Sequence, residues 1–175
     1  MLVPQVQYRS FVTCGLLSVA AGPIAVVGKP LCGAPALPRP LALELHYPAS
    51  QVESMSAQLP PNRISVVALV GEDEASTAAL RALAAQLAAP AAQPGGEAWA
   101  AGSYSPDGAA HFLFPPGEAA GRLILAAKQA GVELPQFIAE VIAVSFLRTD
   151  AAVAAAENTR VAILAALQAS GAMSL

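Results

Sequence analysis

The sequence is short of charge, because Asp, Glu, Lys and Arg make up only 12% of its 175 residues. Globular proteins average about 25% of these residues, so this chain has few charges to spread over a free surface. We therefore expect an apolar surface that a second copy of the chain or a protein partner covers. The nine Lys and Arg residues form no basic run and the formal net charge is −3, which does not favour nucleic acid as the partner.

Aromatic residues and cysteines are also scarce. Aromatics account for 5% of the chain, whereas the excess within the hydrophobic fraction of 55% is mostly alanine, so the predicted core consists of small aliphatic side chains. Cys14 and Cys32 are the two cysteines, too few for a disulfide framework. We expect both to be reduced and buried in a cytoplasmic protein.

No apolar run is long and unbroken enough to suggest a membrane span. Residues 11–28, "FVTCGLLSVAAGPIAVVG", follow Arg9 and resemble the core of a signal peptide. Glycine and proline interrupt this run. Two successive strands are the better interpretation, and we expect no contact with a membrane.

Local signatures of catalysis and of cofactor binding are missing as well. "VVGKP" lacks the second glycine and the Ser or Thr of a phosphate loop, no G-x-S-x-G elbow occurs, and His46 and His111 lack the spacing of a zinc site. The sequence therefore favours a non-catalytic protein without a cofactor or a metal. A small-molecule enzyme remains an alternative, with a pocket at the end of strand 64–70 and roles for Glu72, Asp73 or His46.

What the sequence does contain is a series of strand signals followed by helix signals. Alternating or uninterrupted apolar runs predict strands at 5–13, 23–28, 41–47 and 64–70, and a hairpin of 99–104 and 109–114 that turns at "SPDG". A helix begins at the acids 72–74 and stops at Pro90, followed by a connector at 90–96. Helices are predicted at about 116–130, 135–147 and 150–170. The expected fold is one α+β domain, with a mixed or antiparallel sheet of about five strands and three C-terminal helices packed on it.

The segment "PQFIAEVIAVSFL" is apolar around its whole helical circumference. A helix of this kind is buried on every side, so it is either a central core helix or one that a partner subunit covers. We expect this chain to act as an interaction or accessory protein, through self-association or a protein partner. Phe137, Val141 and Phe146 are the candidate anchors of that interface.

Residues 109–147 also resemble a ribbon-helix-helix DNA-binding segment, in which a short strand, a helix, a tight turn near a glycine and a second helix follow one another. The resemblance implies a regulator that dimerises by pairing strand 109–114 across subunits and contacts DNA through His111, Arg122 and Lys128. In competition with it, the "SPDG" turn predicts that this strand pairs within its own chain. Trp99, Tyr104 and Phe112 either anchor the core near this hairpin or line a pocket.

Overall fold

The chain folds around one large sheet. A computed structural model describes residues 8–14, 23–32, 41–60, 63–117 and 140–169. The strands are β1 (Tyr8–Cys14), β2 (Ile24–Cys32), β3 (Leu41–Leu43), β4 (Leu45–Pro48), β5 (Ile64–Gly71), β6 (Trp99–Tyr104), β7 (Ala109–Phe114) and β8 (Val141–Leu147). The helices are α1 (Ala49–Ser56), α2 (Glu74–Ala88) and α3 (Asp150–Ala169), and a short 3-10 helix spans Ala89–Ala92.

The sheet closes on itself. Its strand order is β3-β1-β2-β5-β8-β7-β6-β4, and every neighbouring pair is antiparallel except β1 and β3. The two terminal strands, β3 and β4, are separated in sequence by Glu44 alone, whose backbone N–H donates to the carbonyl of Gly102 in β6 at 2.9 Å. The run of residues 41–48 therefore joins the two ends of the sheet, pairing first with β1 and then with β6.

The inner face of this closed sheet holds one apolar cluster. Seven of the strands contribute side chains to it, among them Leu43, Leu69 and Leu113. Helix α2 adds Leu80, Leu83 and Leu87, whose spacing of three and four residues places them on one helix face. The predicted helix 72–90 is thus confirmed at Glu74–Ala88, and its apolar stripe completes the core.

A second cluster lies on the opposite face of β5, β6, β7 and β8. Its largest members are Phe112, Phe114 and Phe146. Helix α1 packs on this face through Ala49 and Val52, which are both buried. The central strands are therefore covered on both faces, which explains why their sequences are uninterrupted apolar runs.

The α+β class that the sequence predicts is confirmed, and so is the hairpin of 99–104 with 109–114. The prediction of a helix over 135–147 is wrong, because Val141–Leu147 forms β8 between β5 and β7. A short apolar run fits a strand buried on both faces as well as a buried helix. The sheet consequently has eight strands instead of about five, and the helix predicted at 116–130 falls almost wholly outside the described residues.

Candidate functional site

The hairpin between β6 and β7 presents an aromatic side chain to solvent. Its turn is closed by hydrogen bonds from Ser105 N to Ala109 O (2.8 Å) and from Gly108 N to Ser105 O (3.0 Å). Gly108 has a φ of 95°, a left-handed conformation that favours glycine. Tyr104 ends β6 just before this turn, and its side chain is 41% exposed.

An arginine from a distant part of the chain lies on this tyrosine. Arg148 follows β8, and its Nε donates to the carbonyl of Gly108 at 3.0 Å. Its Cζ lies 5.0 Å from the centroid of the Tyr104 ring, which is within the range of a cation–π interaction. The described residues include no acidic side chain paired with Arg148, so its exposed charge is available to a ligand.

Two further aromatic rings support Tyr104 from below. The rings of Tyr104 and Phe112 meet edge to face, with centroids 6.3 Å apart, and Tyr47 meets Phe112 in the same way at 5.8 Å. Partial burial raises the pKa of Tyr104, a hydrogen bond with Tyr47 raises it further, and the charge of Arg148 opposes both effects. The exposed ring therefore sits on a rigid aromatic base that extends into the core.

A depression of about 270 Å³ opens beside Arg148. It is lined by Met55, Gln58, Leu59, Phe146 and Arg148, so the segment at the end of α1 forms one of its walls. We call the surface formed by Tyr104, Arg148, Met55, Gln58 and Leu59 the aromatic–arginine patch. It combines a stacked cation, an aromatic ring and an apolar hollow, which together suit the recognition of a polypeptide segment.

His111, the histidine predicted to contact DNA, lies inside the sheet instead. It is 1% exposed, and its Nδ1 lies 2.8 Å from Ser145 Oγ while its Nε2 lies 2.7 Å from Ser105 Oγ. His111 and Ser145 belong to a polar row across four paired strands, which runs through Ser103, His111, Ser145 and Ser65. Burial lowers the pKa of His111 to about 4, against a smaller opposing effect of Asp107, so the neutral ring donates through one nitrogen and accepts through the other.

The prediction that His111 reads DNA is therefore wrong, because its side chain does not reach the surface. Strand β7 is paired with β6 on one side and β8 on the other, so it has no free edge for the pairing between subunits that the ribbon-helix-helix resemblance implies. Arg122 and Lys128 lie outside the described residues.

The predicted partner anchors do not form a surface either. Val141 and Phe146 are both 0% exposed, in a strand that is buried on both faces. As exposed anchors of an interface they are wrong, since their own chain encloses them, although Phe146 also lines the depression beside Arg148. Phe137 lies outside the described residues, and so do the side chains of Cys14 and Cys32.

The residues that the enzyme alternative names make contacts within the fold. Asp73 caps α2, since its Oδ1 accepts from Ser76 N at 2.7 Å, and this bond lowers the pKa of Asp73. Glu72 donates its backbone N–H to Ala25 O, and His46 faces Trp99 edge to face at 6.4 Å. Among the described residues no group of three His, Cys, Asp or Glu side chains is placed to hold a metal ion.

Sequence reasoning did not select the pairing of Tyr104 with Arg148. The hairpin signal places Tyr104 next to a turn, but Arg148 is 44 positions further along the chain. Only the pairing of β7 with β8, from Ala109↔Leu147 onward, brings the two side chains together. No local pattern carries that information.

Comparison with known proteins finds a similar fold but no similar sequence. No family model matches the chain, and no curated protein matches it. Across the described part of the chain, no helix combines the length and the hydropathy that crossing a membrane requires. The structure is similar to the crystal structure of the SPOC domain of human PHD-finger protein 3, with a TM-score of 0.54 and 13% sequence identity, over 79% of this chain and 93% of that chain.

Proposed function

We propose that this domain is a non-catalytic binding module that holds a segment of a partner protein on the aromatic–arginine patch. The observation that carries the proposal is the exposed Tyr104 ring with the Arg148 guanidinium stacked on it, beside an apolar hollow. Tyrosine and arginine are among the residues that contribute most to binding energy at protein interfaces. Both are fixed before a partner arrives, which lowers the entropic cost of binding.

The partner is recognised through side chains and not by strand addition to β6, β7 or β8. Strands β6, β7 and β8 surround the patch, and each of them is hydrogen-bonded to a neighbour on both sides. A peptide that adds to a sheet needs an unpaired edge. The contacts that remain are those of Arg148, Tyr104 and the hollow next to them.

The chemistry of the patch specifies an acidic residue next to an apolar one. Arg148 uses Nε for Gly108, so its two terminal nitrogens are left to donate to a carboxylate. Met55 and Leu59 line the hollow beside it and offer an apolar side chain a place out of water. The neighbouring Arg63 adds little charge, because it pairs with Asp150.

The proposal is tested by selecting peptides from a random display library on the purified domain and measuring the affinity of a selected peptide by fluorescence anisotropy. We expect peptides with Asp or Glu beside an apolar residue and a Kd on the order of micromolar. Tyr104→Ala and Arg148→Ala should each weaken binding about tenfold or more. Arg81→Ala is the matched control, since Arg81 is an exposed arginine on α2 that pairs with Glu140.

Two results would contradict the proposal: a selection that yields no common sequence, or peptides that bind Arg148→Ala and the wild type equally well. The homo-oligomer that the low charge predicts stays a prediction. Its structural basis at Val141 and Phe146 is lost, and we do not propose it as the function.

A further inference from the structure

A larger cavity lies at the opposite end of α1 from the aromatic–arginine patch. Its volume is about 420 Å³, and its walls are four alanines, two glycines, Phe114, Pro115, Pro116 and Glu97. Cavities of roughly 300–1,000 Å³ are typical of sites for small ligands. Glu97 is the one polar side chain in this lining, because the other lining residues are apolar or are glycines.

Glu97 is held in a fixed position by the start of α1. Its Oε2 accepts from the backbone N–H of Ser50 at 2.9 Å, and its Oε1 accepts from the hydroxyl of Ser50 at 2.8 Å. Each carboxylate oxygen can accept a second hydrogen bond. Among the described residues no lysine or arginine pairs with Glu97.

The charge that the described residues give this cavity is therefore negative. The amino end of α1 supplies a partial positive charge of at most about half an elementary charge, and α1 is only eight residues long. It offsets part of the full negative charge of Glu97. A cation with an apolar stem would place its charge on Glu97 and its stem against the alanine and proline walls.

We infer that this cavity binds an alkylammonium group, that is, a primary amine on a short aliphatic chain. Such a group occurs both in free small amines and in the lysine side chain of a peptide. The site is independent of the aromatic–arginine patch: it has the opposite charge and shares no lining residue with the hollow there.

The inference is tested by titrating the full chain with n-butylammonium and following backbone amide shifts by NMR. We expect saturable shifts at Ala49, Gly96 and Ala98, with a Kd in the millimolar range for so small a ligand. Neutral 1-butanol, which matches the amine in size, should bind about tenfold more weakly or worse. A peptide with one central lysine and blocked ends identifies the source: tighter binding than butylammonium assigns the site to a protein lysine, and weaker binding assigns it to a free amine.

Variants of the cavity separate charge from shape. Glu97→Gln should weaken butylammonium binding about tenfold or more, since glutamine keeps an acceptor for Ser50 N but replaces the second carboxylate oxygen with an uncharged NH2 donor. Ala91→Phe should block the cavity, whereas Ala92→Phe, on the same 3-10 helix but outside the lining, should not. Equal binding of butanol and butylammonium, unchanged binding by Glu97→Gln, or no saturable shift would overturn the inference. Arg148→Ala should leave this binding unchanged, so a failure here is distinct from a failure of the proposed function.

Discussion

Lowering the pH should destabilise this fold through His111. Burial lowers the pKa of His111 in the folded chain from 6.5 to about 4, so the unfolded chain takes up a proton at a higher pH than the folded chain does. Protonation in this range therefore favours unfolding. The contribution of His111 to stability is fully present above about pH 6.5, declines as the pH falls, and is lost once the pH passes below about 4.

The size of this effect follows from the two pKa values. They differ by about 2.5, and one pKa unit corresponds to about 1.4 kcal/mol, so protonation of His111 removes about 3 kcal/mol of stability. Small domains are stable by roughly 5–15 kcal/mol in total. Protonation of one buried ring thus removes a large share of the total stability.

The assay is urea unfolding of the wild type and of His111→Gln between about pH 7 and pH 4. Glutamine keeps one donor and one acceptor for the two serines but does not titrate, and both proteins contain the same carboxylates. The difference between the two unfolding free energies should therefore change by about 3 kcal/mol across this range. Parallel pH profiles would refute the reasoning, and so would an NMR titration of the wild type in which His111 protonates near its ordinary value.

Two predictions concern the scaffold. Gly102→Ala should lower the free energy of unfolding in urea by roughly 1–3 kcal/mol, because a Cβ at Gly102 would lie 2.5 Å from Cδ1 of the buried Phe112. Gly117→Ala is the control and should leave this free energy unchanged, because a Cβ there meets nothing within 4 Å. Asp73→Ala should lower the thermal midpoint by roughly 2–4 °C, since it removes the acceptor of Ser76 N at the start of α2, and Asp73→Asn should restore most of the loss. A midpoint of Asp73→Ala equal to that of the wild type would contradict the capping role.

Local patterns were sufficient for much of the fold. The hairpin was predictable because "SPDG" between two strand-like runs fixes both the turn and the pairing partner. The helix that follows β5 was predictable because acids at its start, leucines on one face and Pro90 after its end agree with one another. In each case the decisive contacts lie within about twenty residues of one another.

Strand β8 is an element that such local patterns do not predict. "VIAVSFL" has neither the alternation of a half-buried strand nor the polar face of a surface helix, so periodicity does not decide between a buried strand and a buried helix. Its β-branched residues favour a strand, but the choice is settled by β5 and β7, which lie on either side of it. The apolar character that suggested an interface is instead that of a central strand covered by α1 on one face and filled core on the other.

The same long-range pairing explains why the candidate site was not predictable. Three contacts tie the β6–β7 turn to the segment after β8: Arg148 Nε to Gly108 O, Thr149 Oγ1 to Asp107 O, and the stacking of Arg148 on Tyr104. In two of them the acceptor is a backbone carbonyl, which every residue has. Residue types alone therefore do not predict these contacts. The patch depends on strand register, because a slip of one residue between β7 and β8 would turn alternate side chains to the other face. A surface of this kind can be recognised only after the sheet has been assembled.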